Sequence, residues 1–495
     1  MPLAFLLAIP LAGAAAVFFA RRRFVLELVY GTGAGAALLS SVFLAAQVLS
    51  GGPVSFFNGF LYADALSALV TLLTCLVWAL SAPYTVGYLR GPQPSAGESP
   101  AQLGIRDLRL YYTLSLLFVF TLLAVSLTGN LGLMWVALEG ATLASVFLVA
   151  FYGKPTSLEA AWKYAIIGGV GLSMALFGTI LTYYAAHEAT GMETWEALNW
   201  PFLLAASPQF NPLVMRLAFV LVLLGYGAKA GLAPMHTWKP DAYSEAPVPA
   251  AAMMATAMLN CALYGLGRFF LLSARATGAA MPSQLLVLFG ILSIAVAMPF
   301  ILVQRSFRRL LAYSSIDHCG IIALSLGFGG PLGSLGAVLH MSFHALAKPL
   351  LFFCAGNAQQ HAGDDSLRNT AGGLIRVLPM SGAALFAAVL AVTGTPPFPL
   401  FLSEFTVLRA GFAQGYGWVS IIAVALFVLI FSGMFAHVSR LLLGPAPDLP
   451  AGDRNRWTVY PLLPLAALLL LFSFWMPAPL SSLLAQSAAL LEVKP

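Results

Sequence analysis

Lys229 and the three residues His340, His344 and Lys348 are the groups in this sequence whose types and spacing bear most directly on chemistry, and all four lie in long apolar runs. A lysine inside such a run costs roughly 2.5–3.5 kcal/mol on insertion scales, so one without a task is disfavoured. Lys229 stands in LGYGAKAGLAPMHTWKPDAYSEAPVP, where Gly231 and Pro234 break the run and no carboxylate adjoins the lysine in sequence. His340, His344 and Lys348 follow one another at intervals of four in VLHMSFHALAKPLLFF. On a helix that spacing draws one polar stripe about 12 Å long, in which imidazoles can pass a proton and the lysine can hold one. Metal binding is the weaker reading of the stripe, because lysine is a poor ligand and no carboxylate lies within it.

Acids and further bases accompany these groups. Glu139, in LGLMWVALEGATLAS, lies about nine residues into its span, near mid-bilayer at the helical rise per residue. Glu159 and Lys163, four apart in TSLEAAWKYAIIGG, read as a local ion pair near a membrane boundary or, for the deeper Lys163, as part of a path. A second broken segment, TGTPPFPLFLSEFTVL, carries Pro396, Pro397 and Pro399, with Glu404 just beyond. His236, followed by Lys239, Asp241 and Glu245, reads either as a solvated loop or as the cytoplasmic mouth of a proton path. Asp317 and His318, in AYSSIDHCG, are either satisfied by a neighbouring helix or part of the function themselves.

Only a membrane interior gives such residues their meaning. The chain has 495 residues, 60% hydrophobic and 8% charged, against about 25% charged in soluble domains. This is the composition of an all-α polytopic membrane protein. The basic residues behind the net charge of +6 are spread singly or in small groups between apolar runs, so they read topology and not nucleic acid. Cys75, Cys261, Cys319 and Cys354 lack paired spacing, which argues against a disulfide framework and against zinc or iron–sulfur sites, and no cofactor is expected in this chain.

Apolar runs fall at about 2–20, 25–48, 63–88, 111–128, 131–151, 159–185, 212–232, 248–275, 283–303, 308–328, 332–357, 379–413, 417–441 and 458–487, roughly fourteen spans. Arg21, Arg22 and Arg23 follow the first run, the reverse of a secretory signal. With alternating topology, those three, Arg90, Arg106, Arg109, Lys154, Lys239, Arg305, Arg308, Arg309, Arg368, Arg376, Arg440, Arg454 and Arg456 share one side, which should be the cytoplasm. Arg216, Arg268, Arg275, Arg409 and Lys494 are the exceptions, near outer ends. Both termini are then expected outside, with Trp195 and Trp200 as interfacial anchors.

Each broken helix is the fourth in a group of five, which predicts two inverted five-helix repeats. The expected divisions are helices one to three over 1–110, a first repeat over 111–275, a second over 283–441, and a C-terminal loop and helix over 442–495.

The segments WVALEGATLAS, EAAWKY, GAKAGLAPMHTWKPDAYSEAPVP, FRRLLAYSSIDHCGI, HALAKPLLFF and LSEF occur in this order along nearly the whole chain. Together they resemble the antiporter-like proton-pumping subunits shared by respiratory complex I, Mrp cation/proton antiporters and group 4 membrane-bound nickel–iron hydrogenases. LEGATLASVFLVAFY and MLNCALYGLGRF are most similar to the hydrogenase-4 component F branch. The resemblance matches Glu139 to the fifth-helix glutamate, Lys163 to the sixth-helix lysine, Lys229 to the broken seventh-helix lysine, His344 and Lys348 to the eleventh-helix pair, and Glu404 to the end of the twelfth. It implies a switch in which a Glu139/Lys163 pair opens and leaves the acid facing Lys229, after which a proton leaves through His344 and Lys348 to Glu404.

The eighth helix departs from the pattern: many relatives carry histidine or lysine there, and this chain offers Ala255, Thr256 and Asn260, so that water held by Asn260 would have to bridge the path. With the sequence ending soon after its last span, the lateral helix of the L-type subunit is not expected. The implied protein is a subunit of a redox-driven complex that moves protons or sodium ions across a bacterial or archaeal cytoplasmic membrane. Its partners would be other antiporter-like subunits and quinone-module or hydrogenase-module subunits. Rival expectations are an Mrp-type antiporter subunit, a structural anchor with a vestigial path, and a membrane partner for inorganic-carbon uptake.

Overall fold

The structure, a computed structural model, describes residues 2–93, 102–363, 365, 367, 373–445, 452–453 and 455–493. Arg368, Arg454 and Lys494, used above for topology, lie outside the described residues. The helices run α1 (Pro2–Phe19), α2 (Arg23–Gly51), α3 (Ala65–Arg90), α4 (Ile105–Leu127), α5 (Leu131–Val149), α6 (Pro155–Thr190), α7 (Trp200–Ala206), α8 (Pro212–Ala230), α9 (Trp238–Glu245), α10 (Val248–Met253) and α11 (Leu259–Thr277). They continue as α12 (Ala280–Val303), α13 (Phe307–Phe328), α14 (Gly330–Ala362), α15 (Leu374–Val377), α16 (Pro379–Val392), α17 (Pro399–Ala413), α18 (Gly417–Leu443), α19 (Arg456–Val459), α20 (Leu462–Phe474) and α21 (Ala478–Leu491).

Among the described residues, 13 helical segments are long and apolar enough to cross a membrane. The shorter α16 and α17 add one broken crossing, so the architecture is the all-helical membrane bundle with two inverted five-helix repeats. One repeat holds α4, α5, α6, the broken α8–α9 and the continuous α10–α11; the other holds α12, α13, α14, the broken α16–α17 and α18. Five crossings are an odd number, so the second group enters the membrane in the opposite sense to the first.

Two details depart from expectation. The last apolar run is divided: Pro477 cannot donate to a helical ladder, so the chain leaves α20 at Trp475 and begins the separate α21. The loop between α2 and α3 contains a hairpin, β1 (Val54–Phe56) against β2 (Leu61–Ala63), turned through Phe57, Asn58 and Gly59 at positive φ. Phe60 stacks on Trp195 at 3.6 Å, while Trp200 is buried beneath the Arg268 guanidinium at 4.3 Å and is therefore no interfacial anchor.

Both breaks are built alike. The α8 helix ends at Gly231, whose φ of +85° favours glycine, with its N–H bonded back to Gly227 O at 2.8 Å. The α16 helix ends just before Gly394, at φ +61°. Cis peptides follow each glycine, Ala233–Pro234 and Pro396–Pro397.

Small residues let the helices carrying the site approach closely. A Cβ on Gly225 of α8 would lie 2.5 Å from that of Ala175 on α6, and one on Gly290 of α12 would lie 2.8 Å from Gly320 O on α13. The membrane-spanning stretches of Val248–Thr277 and α14 are enclosed by the other helices, whereas α18 lies at the surface of the bundle. Polar groups on the enclosed helices must therefore find partners inside the protein.

Candidate functional site

Lys229 lies at the end of the first half of the broken helix, two residues before Gly231 stops it, and is 1% exposed. Its Nζ donates to Thr142 Oγ1 of α5 at 2.7 Å and to Tyr164 OH of α6 at 2.6 Å, with the Tyr164 ring centroid at 4.9 Å. Tyr164 is fixed in turn: its hydroxyl bonds Ser145 Oγ at 2.7 Å, and its ring stacks on Trp238, whose Nε1 donates to Ala228 O at 2.9 Å. Glu139 lies three residues before Thr142 on α5, half-buried and within electrostatic reach of Lys229. Its Oε2 is enclosed without a hydrogen-bond partner among the described residues.

The expected Glu139/Lys163 pair is not formed. Lys163 is 47% exposed and pairs with Glu159 Oε1 at 2.6 Å and Asp241 Oδ2 at 3.1 Å; Asp241 also pairs with Arg309. Adjacent residues on a helix point about 100° apart, so seating Tyr164 against Lys229 turns Lys163 outward. Glu159 and Asp241 thus belong to a surface network that ties α6, α9 and α13 together.

Lys239 and Arg308, read above as cytoplasmic topology signals, are instead buried. Arg308 donates to the carbonyls of Tyr243 and Ala246 at the end of α9. Lys239 is 0% exposed, and its Nζ donates to Ala230 O at 2.7 Å and Ser315 O at 3.4 Å. His236 is also buried, with Nδ1 lacking a partner among the described residues, so this segment is not a solvated loop. In the continuous eighth crossing, Asn260 donates to Met341 O at 3.3 Å while its Oδ1 has no partner among the described residues.

The second half holds a chain of imidazoles. His340, His344 and Lys348 are all 0% exposed on α14, as the stripe requires. They do not form the relay unaided, because the His340 and His344 rings are 6.5 Å apart. His318 of α13 sits between them: its Nδ1 shares a hydrogen bond with His340 Nε2 at 2.8 Å, and its ring is 5.0 Å from that of His344. His340 Nδ1 meets Ser403 Oγ at 2.9 Å, next to Glu404. Lys348 Nζ donates to Leu311 O at 3.1 Å, with the buried Asp317 within electrostatic reach.

Glu404 lines an open cleft of about 300 Å³ with Thr393, Thr395, Phe401, Phe405, Leu408 and Phe431. His318, His340 and Glu404 bring one donor atom each within 4.8 Å of one another. The fold thus supplies the carboxylate that the stripe lacked, but a metal there would have to replace the His318–His340 hydrogen bond.

The structure therefore gathers Glu139 and Lys229 with Thr142, Tyr164 and Ser145, and His340, His344, Lys348 and Glu404 with His318, Asp317 and Ser403. It leaves Lys163 and Glu159 apart. Tyr164, Thr142 and Ser403 were not foreseen; the one available signal was their place beside singled-out residues or within one turn of them.

A family model described as NADH:quinone oxidoreductase/Mrp antiporter, transmembrane, matches residues 128–430. The chain is similar to a hydrogenase-4 component F homolog of Methylacidiphilum infernorum, 36% identical over 398 residues, 80% of this chain and 81% of the relative. It is 32% identical over 381 residues to NADH-quinone oxidoreductase subunit N of Desulforudis audaxviator, 76% of this chain and 71% of the relative. Among solved structures, a chain of the membrane-bound sulfane sulfur reductase, an archaeal respiratory membrane complex, superposes with a TM-score of 0.87 at 24% identity, covering 99% of this chain and 98% of that one.

Proposed function

Because the chain belongs to the NADH:quinone oxidoreductase/Mrp antiporter transmembrane family, as an antiporter-like membrane subunit, we propose that it carries protons, or sodium ions in their place, through a bacterial or archaeal cytoplasmic membrane within a redox-driven complex of the hydrogenase or quinone-reductase type. Both termini face outward in this reading. Redox chemistry belongs to partner subunits, since the sequence carries no flavin, nucleotide or metal-ligand motif.

The single observation that carries the reading is Lys229 itself: a buried amine on a broken helix, held by two hydroxyls, with the unpaired carboxylate of Glu139 close by. The ammonium form of such a lysine gains when a negative charge faces it and loses when that charge is neutralised or drawn away. Lys163 is engaged at the surface, so the charge on Glu139 is set from elsewhere. Leu133, Val136, Leu143 and Phe147 leave the α5 face exposed around it, and a neighbouring membrane subunit seated there would reach the acid directly. A proton released inward then passes the cluster of Lys348, His344, His318 and His340 and leaves by Glu404 at the open cleft.

The test is Lys229→Ala in the native complex, reconstituted in vesicles and driven by its own electron donor. Assembly should be kept and the pH gradient lost. A gradient of wild-type size would end the reading.

A further inference from the structure

We propose that Lys239 is the proton-holding group that joins the two halves of the path, supplying from the second half of the broken helix the base that the eighth crossing lacks. The inference rests on the proton-carrying reading above.

Three observations converge on this lysine. The first is its surroundings: Nζ is wholly enclosed, its hydrogen bonds go only to backbone carbonyls, and no carboxylate lies within ion-pair distance among the described residues. Ala230 O belongs to the last turn of α8, whose carbonyls lack helical partners and carry the negative end of the helix dipole, so an ammonium is tolerated there without a counter-ion. The second is position. Ala230 adjoins Lys229, while Ser315 lies on α13 just before Asp317 and His318. Lys239 therefore bonds the backbone of both halves, and His318, His344 and Lys348 are within its electrostatic reach. Other groups facing it are His236, Cys319 and the ring of Tyr243, the last 5.7 Å away.

The third observation is the correspondence between the two breaks. A Cβ on Gly231 would lie 2.7 Å from Lys239 Cδ and 2.9 Å from its Nζ, so the left-handed glycine keeps the space that the lysine occupies. In the second repeat the carboxylate of Glu404 occupies the space beside the left-handed Gly394 in the same way. Each second half-helix thus returns one ionisable side chain onto the glycine that ends the first. Lys239 holds in the first repeat the place that Glu404 holds in the second. Ala255 and Thr256 of the eighth crossing cannot hold a proton at neutral pH, and the Asn260 amide cannot either.

The competing role is a fixed cation that only caps α8, and arginine separates the two. A guanidinium keeps its charge and can bond carbonyls but does not release its proton, whereas histidine can bind and release one. The native complex carrying Lys239→Gln, Lys239→Arg or Lys239→His is reconstituted beside wild type and Lys229→Ala, and pH-gradient formation and subunit assembly are measured. With the Lys229→Ala control inactive, Lys239→Gln and Lys239→Arg should both pump slower by roughly tenfold or more, and Lys239→His should keep part of the rate. Wild-type pumping by Lys239→Arg or by Lys239→Gln overturns the assignment. If the glutamine variant does not assemble, the other two decide: histidine faster than arginine supports the relay, and arginine equal to or faster than histidine overturns it. Pumping by the Lys229→Ala control would instead bring down the proton-carrying reading and leave Lys239 as a cap.

Discussion

The hydroxyl of Tyr164 accepts a hydrogen bond from Lys229 Nζ at 2.6 Å, while the neighbouring Lys163 points out to a surface ion-pair network. One helical step thus decides which side chain of α6 acts on the buried lysine.

Tyr164→Phe keeps the ring and its stacking on Trp238 and removes one of the two acceptors of Lys229. Losing a hydrogen bond to a buried charge costs about 1.5–3 kcal/mol, which should slow proton movement roughly ten- to a hundredfold without unfolding the bundle. Lys163→Met should pump at close to the wild-type rate. The reverse order, with Lys163→Met inactive and Tyr164→Phe normal, would restore Lys163 to the path.

A second prediction follows from the place of His318 between two rings of α14. His318→Leu should reduce pumping by roughly tenfold or more, as fully as His344→Leu, because the 6.5 Å gap between His340 and His344 then has no imidazole in it. Pumping assays of the two variants in matched vesicles settle this. A normal rate in His318→Leu would mean that protons travel along α14 alone.

Arg268 and Asp64 form a stability prediction away from the path. They pair at 2.7 Å, each 2% exposed, with the Ser67 and Tyr264 hydroxyls accepting from the same Nη2. Asp64→Asn would leave a buried cation without its counter-charge, a loss of about 3–5 kcal/mol. Thermal unfolding of the detergent-solubilised complex should show a clear drop, and an unchanged midpoint would show the pair to be dispensable.

The spans, the two breaks and the buried stripe were legible because each has a direct sequence cause: apolar length, Gly and Pro at the stops, and charged residues at intervals of four. What one helix presents to another was not legible, because rotation about the helix axis decides it. Lys163 and Tyr164 are adjacent in sequence, and only packing of α6 on α8 shows which one faces inward. Lys239 looked like a loop cation because polar residues crowd around it, yet α9 folds back and buries it. The hairpin did carry a signal, Asn58-Gly59 between two short apolar runs, of the kind that favours tight turns.

The central claim is that the charge of Glu139 governs the proton on Lys229, and it is tested most directly by the number of protons moved per substrate turned over in vesicles holding the native complex. Glu139→Gln keeps shape and hydrogen bonding but not charge, and Glu139→Asp keeps charge at a shorter reach. The account predicts assembled complexes in both, a ratio well below wild type for the glutamine variant and an intermediate ratio for the aspartate variant. A wild-type ratio in Glu139→Gln would contradict it.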